Sequence, residues 1–258
     1  MGKLDLTISI VTYNSREFIE SCLRSIFAGT QNIDFEVWVV DNGSSDGSTG
    51  IVNDSFPRVK LIRNKKNLGF GQANNLILET ATSRYSLVMN PDVLVPRGSL
   101  ESMVAFMDSH HEAGVLGCKL LNTDETLQFS CRRYPRASWI LARGLFLDRL
   151  SPEAAGFRRY FMMDWDHDSP LEVDWVTAAC MMFRQEALKQ AGLFDRRFFM
   201  YYEDVDLCRR IGQRWKVYYC PHIHMIHHHR QESHSLFNLR CRFRHLKSAF
   251  RYFQKWGP

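Results

Sequence analysis

The sequence has no apolar run long enough to cross a bilayer, and its first residues lack the order of a secretory signal. A spanning helix needs roughly 18 or more apolar residues in succession, and a signal peptide places a basic segment before an apolar one. The seven cysteines are scattered and include no Cys-x-x-Cys pair, which favours reduced thiols over a disulfide framework. Together these absences predict a cytoplasmic protein.

The overall composition is that of an ordinary globular protein. The chain has 258 residues, of which 45% are hydrophobic and 24% are charged. A chain of this length can bury a substantial core, and it allows one large domain or two small ones. We expect a main domain over residues 1–235 and a C-terminal helix over residues 236–258.

Acidic residues are absent after Glu232, whereas arginine and lysine accumulate there. Spacings of three and four place an apolar set on one face of a helix, namely Leu239, Phe243, Leu246, Phe250 and Phe253. A basic amphipathic helix of this kind is typical of an anchor on an anionic membrane surface. The alternative is a helix that packs its stripe on the protein's own core. Nucleic-acid binding is disfavoured, because the basic residues share the helix with a large apolar stripe.

Apolar runs and helical periodicities alternate along the first half of the chain. They predict strands at 6–12, 35–40, 59–63 and 85–89, and helices at 16–27 and 72–81. Strands alternating with helices at this spacing predict an α/β fold with a mostly parallel central sheet flanked by helices. Further along, the pattern predicts strands at 173–183 and 216–220, the second leading into a histidine-rich turn, and helices at 185–190 and 205–212. Residues 120–168 give no clear assignment.

Polar residues follow three of the predicted strands. These are Thr12-Tyr13-Asn14, Asp41-Asn42 and Asn90-Pro91-Asp92. Because ligands bind at the carboxyl ends of parallel strands, the three clusters predict one site. A carboxylate at the end of a buried strand, such as Asp92, suits a hard divalent cation. For Asp41 and for the segment around Asp92, a plain turn is the alternative.

A second acidic cluster begins at Glu203 and Asp204, directly after the aromatic residues of 198–202. An apolar environment raises a carboxyl pKa and suits a general base. Asp204 is the predicted base, and Glu203 is the alternative base or a residue that orients a substrate hydroxyl. Acids in the first turn of a helix also favour its dipole, but that explanation leaves the preceding aromatic residues unexplained.

Several motifs in register resemble the family 2 glycosyltransferases, which have the GT-A (Rossmann-like) fold. They are residues 9–14, 39–48, 67–71, 90–92 and 203–210, with Asn64, Asn74 and Asn75 between them. The resemblance covers residues 6 to about 235 and is strongest to the bacterial rhamnosyltransferase-like branch. The family has Asp-x-Asp where this chain has Asn90-Pro91-Asp92, so charge at the metal site is reduced.

The resemblance implies an inverting, metal-assisted transferase in O-antigen or cell-wall synthesis, peripheral on the inner face of the plasma membrane. It implies a nucleotide-sugar donor, TDP-rhamnose or a UDP-hexose or UDP-galactofuranose, and a saccharide acceptor linked to polyprenyl diphosphate. Mg²⁺ or Mn²⁺ is the implied cofactor. The alternative from another class is a non-catalytic nucleotide-binding scaffold at the membrane. The sequence leaves a homodimer open.

The resemblance also assigns roles to individual residues. The donor nucleotide would contact Thr12, Asn14, Asp41, Asn42, Asn67, Gly69 and Asn90. The metal would be held by Asp92 and His227, with His224 as the fallback ligand. Trp175 and Tyr202 would line the acceptor pocket, although Trp175 equally suits a core position.

Overall fold

Four parallel strands form the first half of the central sheet. The structure is a computed structural model and describes residues 4–137, 155–228 and 239–258. The strands are β1 (Leu6–Thr12), β2 (Phe35–Asp41), β3 (Lys60–Arg63) and β4 (Tyr85–Met89), in the spatial order β3-β2-β1-β4. They are connected by α1 (Arg16–Gly29), α2 (Ser48–Ser55) and α3 (Phe70–Leu78). Every residue of β1 and β4 is buried, as expected for parallel strands covered on both faces.

The second half extends the same sheet with mixed strand directions. Its strands are β5 (Val93–Leu94), β6 (Ala113–Leu121), β7 (Leu127–Gln128), β9 (Leu171–Glu172), β11 (Cys180–Arg184) and β12 (Lys216–His227). β11 lies antiparallel between β4 and β6, and β12 is parallel to β6. A separate two-stranded sheet joins β8 (Cys131–Arg132) to β10 (Trp175–Val176). The helices here are α4 (Ser99–Ser109), α5 (Ala155–Tyr160), α6 (Gln185–Ala191), α7 (Glu203–Ile211) and α8 (Leu239–Trp256).

The predicted α/β fold with a mostly parallel sheet is confirmed, and two local predictions are wrong. The strand expected over 173–183 is interrupted, because residues 177–179 separate β10 from β11 and the two strands belong to different sheets. The strand expected to end at Cys220 continues through the histidine-rich segment to His227. There, exposed His222 and His224 alternate with buried Ile223 and Met225, the period-two pattern of a strand with one buried face.

The C-terminal helix α8 packs on the domain and still exposes apolar side chains. Ser248, Ala249 and Tyr252 are buried against the core. Phe243, Leu246 and Phe250 lie on the other side and are 68%, 55% and 70% exposed. One face of the helix therefore packs on the core, the anchor role of the exposed face stays a prediction, and Phe253 of the predicted stripe is partly buried. Residues 236–238 and the side chain of Leu239 lie outside the described residues.

Within the described ranges, helices of a length and hydropathy suited to crossing a bilayer are not found.

Candidate active site

A network of asparagine side chains joins the carboxyl end of β2 to the turn before α3. Asn42 is 2% exposed; its Nδ2 donates to the Gly69 carbonyl at 3.2 Å and its Oδ1 accepts from Asn64 Nδ2 at 3.0 Å. Asn67 Oδ1 accepts from the Gly69 N–H at 2.8 Å. These bonds fix the backbone of the predicted donor-binding turn, so Asn42 and Asn67 act on the turn's shape in this structure.

Gly69 is required by a close approach to a second loop. Its φ is +87°, and a Cβ placed there would overlap the carbonyl oxygen of Phe199. The same carbonyl accepts from the Phe70 N–H at 3.1 Å. The turn before α3 therefore rests directly on the segment that leads into Glu203.

Asp41 stands at the predicted position, paired in register with Thr12 on β1. It is 3% exposed, and its carboxylate accepts the N–H groups of Gly43 and Ser44 at 3.2 Å. The turn interpretation of Asp41 thus accounts for these contacts, while its role toward a nucleotide stays a prediction.

The remaining predicted donor residues lie at the same sheet edge with different exposure. Thr12 is fully buried, and its Oγ1 has no hydrogen-bond partner among the described residues. Asn14 is exposed with a φ of +53°, and its Oδ1 accepts from the Ser45 N–H at 2.9 Å. The Asn90 N–H donates to the Ala179 carbonyl at 2.9 Å, which joins the end of β4 to the start of β11.

Asp92 and His227 are brought together at the end of the sheet. β5 and β12 pair antiparallel, with His227 opposite Val93, and His227 Nε2 lies 3.3 Å from Asp92 Oδ1. Both side chains are largely buried. Asp92 Oδ1 makes no hydrogen bond within the part of the chain that the structure describes.

Gln128 on β7 fixes the orientation and the tautomer of His227. Its Nε2 donates to the His227 carbonyl at 2.8 Å and to Asn122 Oδ1 at 2.6 Å. Its Oε1 is therefore the acceptor that faces His227 Nδ1, at 2.8 Å. With the proton on Nδ1, Nε2 presents a lone pair toward the Asp92 carboxylate. Two acceptors that face each other suit a bound cation.

His224 does not join this pair. It is exposed on β12, and Ser99 Oγ donates to its backbone carbonyl at 3.2 Å. Across the described ranges, no group of three or more His, Cys, Asp or Glu side chains converges on one point. A cation bound between Asp92 and His227 would have two protein ligands, which fits Mg²⁺ or Mn²⁺ sites completed by substrate phosphates and water.

Glu203 and Asp204 open α7 at a backbone that turns sharply. Tyr201 and Tyr202 precede them with φ values of +69° and +67°, a region that residues other than glycine rarely adopt. Glu203 is 5% exposed, and its Oε2 has no hydrogen-bond partner among described residues. Burial, followed by the charge of Asp204, raises the pKa of Glu203 well above its usual value.

Asp204 is partly exposed and is held by backbone N–H groups. Its Oδ1 accepts from Val205 at 2.9 Å and its Oδ2 from Ala178 at 3.4 Å. Burial raises the pKa of Asp204, while these two N–H groups and the charge of Arg132 act in the opposite direction. A carboxylate with a raised pKa that remains accessible is suited to accept a proton near neutral pH.

The two residues predicted for the acceptor pocket pack into the protein. Trp175 is 4% exposed, and its Nε1 donates to the Arg133 carbonyl at 2.8 Å. Tyr202 is 7% exposed and packs its ring 5.3 Å from His245 and 5.4 Å from Tyr252, both on α8. The aromatic segment before Glu203 therefore packs against α8 through Tyr202, and its contact with an acceptor stays a prediction.

A buried acid connects α7 to the C-terminal helix. Asp206 is fully buried and accepts from Arg210 Nε at 2.9 Å, Trp256 Nε1 at 2.8 Å and Lys255 Nζ at 2.7 Å. Ser248 Oγ donates to the Met200 carbonyl at 2.8 Å. Helix α8 thus holds both the loop before Glu203 and the helix that carries the acids.

Sequence reasoning did not find Gln128 or the arginine at position 132 as parts of the site. Both lie in the stretch of 120–168 that has no clear helical or strand period. Gln128 and Arg132 lie on the two-residue strands β7 and β8, which are too short to give a periodic signal. A contact with a residue a hundred positions away carries no local signal either.

Comparison with known proteins gives a consistent family. The model of the family described as glycosyl transferase family 2 matches residues 7–192. An N-acetylglucosaminyl-diphospho-decaprenol L-rhamnosyltransferase of Mycobacterium tuberculosis is 30% identical over 238 residues, which cover 86% of this chain and 76% of that protein. Rhamnosyltransferase WbbL of Escherichia coli is 25% identical and covers 95% of this chain and 91% of its own.

Solved structures share the fold at lower identity. A mannosyltransferase from Pyrobaculum calidifontis in complex with GDP-Man and Mn²⁺ has a TM-score of 0.65 and 18% identity, with 98% of this chain and 65% of the other covered. GalNAc-T7 with UDP, GalNAc and Mn²⁺ has a TM-score of 0.69 and 14% identity, covering 98% of this chain and 48% of its own.

Proposed function

This chain belongs to glycosyl transferase family 2, and we propose that it transfers L-rhamnose from TDP-rhamnose to an N-acetylglucosamine unit linked to polyprenyl diphosphate. The family and the rhamnosyltransferase relatives support the enzyme class and the donor. The observation that carries the proposal is the arrangement of acids in the structure: the loop that leads into Glu203 and Asp204 contacts the predicted donor-binding turn through the Phe199 carbonyl, and another carboxylate, Asp92, lies beside His227.

The reaction follows from the position and the pKa of Asp204. Its carboxylate accepts the proton of an acceptor hydroxyl while that oxygen forms a bond to the anomeric carbon of the donor sugar. The bond from that carbon to the nucleoside diphosphate breaks in the same displacement, so the anomeric configuration inverts. Mg²⁺ or Mn²⁺ held by Asp92 and His227 would neutralise charge on the departing diphosphate. Glu203 would orient a sugar hydroxyl.

The test is product formation with matched donors. The full chain is incubated with a short-chain N-acetylglucosaminyl-diphospho-lipid and either TDP-rhamnose, UDP-glucose or UDP-galactofuranose, and products are identified by mass spectrometry. Transfer from TDP-rhamnose that is abolished by EDTA and restored by Mg²⁺ or Mn²⁺ is the expected result. Transfer from a UDP-sugar alone would overturn the donor, and transfer from none of them would overturn the proposal.

We also propose that the exposed face of α8 lies on an anionic membrane surface at the inner side of the plasma membrane. Phe243, Leu246 and Phe250 form an apolar stripe beside exposed Arg244 and Lys247. Apolar insertion and attraction to anionic headgroups add in such a helix. Replacing the three apolar residues by serine should abolish sedimentation with phosphatidylglycerol vesicles while leaving transfer to a short-chain acceptor intact. Sedimentation velocity on the same samples decides whether the protein is a homodimer.

A further inference from the structure

An arginine on β8 is held in a cage of aromatic rings on the side of Asp204. Arg132 pairs in register with Trp175 across the β8–β10 sheet. The centre of its guanidinium lies 5.0 Å from the Trp175 ring, 4.9 Å from Phe161 and 5.9 Å from Tyr160. Rings that stack on a guanidinium stabilise its charge and leave the N–H edge available for an anion.

Among the described residues, this cation makes no direct ion pair with a carboxylate, although its charge acts on the nearby Asp204. In the part of the chain that the structure describes, Arg132 donates one hydrogen bond, a long one from Nη2 to the Phe129 carbonyl at 3.4 Å. The Nε atoms of Arg132 and of the adjacent Arg133 are both buried and have no hydrogen-bond partner within residues 4–137, 155–228 and 239–258. A buried N–H group without an acceptor is costly, and a fixed guanidinium fork matches a phosphate group. The guanidinium of Arg132 is therefore suited to an anionic ligand.

The position of Arg132 separates it from the donor side of the site. Its register partner Trp175 leads, three residues on, to Ala178, whose N–H donates to Asp204 Oδ2. Its charge reaches that carboxylate. In the described part of the chain, its hydrogen bond and ring contacts involve neither the turn at Gly69 nor the Asp92–His227 pair. An anion bound by Arg132 would therefore lie beside Asp204 and next to the Trp175 side chain.

We propose that Arg132 binds the diphosphate of the lipid-linked acceptor and thereby places the acceptor sugar against Asp204. The inference rests on the proposed function, because only a diphosphate-linked acceptor brings this anion to the site. A sugar ring separates the diphosphate from the attacking hydroxyl, so a phosphate site beside the base, distinct from the donor's diphosphate, is what such an acceptor requires.

The experiment compares two acceptors that differ only in the diphosphate. One is N-acetylglucosaminyl diphosphate carrying a farnesyl chain, and the other is farnesyl N-acetylglucosaminide, which has no phosphate. For Arg132→Gln, the KM for the diphosphate acceptor should rise about tenfold to a hundredfold, the range for losing hydrogen bonds to a charged group. The KM for the sterically similar glycoside and the KM for the donor should stay unchanged.

Control variants separate binding from folding. Arg159→Gln removes an exposed arginine of α5 from the same segment and should leave both acceptors unaffected. Arg132→Lys keeps the charge without the fork and should give a smaller loss, again confined to the diphosphate acceptor. This variant decides the matter if Arg132→Gln does not fold.

Other outcomes would overturn the inference. An equal loss with both acceptors would show that Arg132 acts on Asp204 or on local packing. A rise in the donor KM would place the donor's diphosphate at Arg132. If the wild type uses both acceptors and Arg132→Gln treats them alike, only this inference fails. If the wild type transfers no sugar to either acceptor, the proposed function fails, and the inference falls with it.

Discussion

Replacing Gln128 by leucine should weaken binding of the divalent cation without removing a ligand. Gln128 Oε1 accepts from His227 Nδ1 at 2.8 Å, and its Nε2 is committed to the His227 carbonyl and to Asn122. Leucine has a similar size but cannot accept a hydrogen bond from His227 Nδ1, so the lone pair on Nε2 is no longer fixed toward Asp92. Loss of such a supporting contact typically costs 10–100-fold in metal affinity, which we expect here at about that size.

The assay is a titration of the metal-free protein with Mn²⁺ in the presence of nucleoside diphosphate, followed by calorimetry or electron paramagnetic resonance. Gln213→Leu, at an exposed position after α7, is the matched control and should not change the affinity. Circular dichroism establishes that both variants are folded. A folded Gln128→Leu protein with wild-type Mn²⁺ affinity would refute the argument that Gln128 prepares His227 as a ligand.

Three further predictions concern the turn at Gly69 and the acids of α7. Gly69→Ala should lower the free energy of unfolding, measured by urea denaturation, by about 1–3 kcal/mol, because Gly69 has a positive φ and a Cβ there would overlap Phe199. The control Gly50→Ala should not destabilise the protein, because the space around a Cβ at that position is open. The pKa of Glu203 is raised in the folded state, so between its unfolded-state and folded-state pKa values the folded protein binds more protons than the unfolded one. The free energy of unfolding therefore falls as pH rises through that window. Glu203→Gln should flatten this fall, and a variant with the same pH profile of thermal unfolding as the wild type would contradict the prediction. The transfer rate should rise with pH through an apparent pKa above that of an ordinary aspartate, since burial raises the pKa of Asp204. If lowering the pH to the pKa of a free aspartate leaves the transfer rate unchanged, Asp204 is not the base.

The sequence was sufficient to predict those parts of the fold where local pattern and tertiary packing agree. β1 and β4 are continuous apolar runs that become fully buried parallel strands at the predicted positions. The predicted end of β12 is wrong because the histidines at alternate positions indicate a turn, whereas Ile223 and Met225 between them form the buried face of a strand. Pairing with β6 on both sides of an irregularity at residues 221–223, and with β5 at Ile226 and His227, extends that strand to His227.

The sequence predicts only those residues of the candidate site that belong to a recognisable motif. Asp92 and His227 were both predicted, and the structure brings their side chains together across the β5–β12 pair. The sequence offered no way to see that Gln128 orients His227, or that Arg132 approaches Asp204, because both contacts depend on how short strands far apart in the chain pair. Similarly, the apolar spacing of α8 did not reveal that Tyr252 would face the core while Phe250 stays exposed.

The central claim is that Asp204 deprotonates the acceptor, and single-turnover transfer with Asp204→Asn tests it most directly. The replacement keeps the size of the side chain and removes its basicity. We expect TDP-rhamnose binding to persist and the chemical step to slow by about 10²–10⁴-fold, the usual contribution of a positioned general base. Glu203→Gln should slow the same step less. A wild-type rate in the folded Asp204→Asn protein would contradict the account.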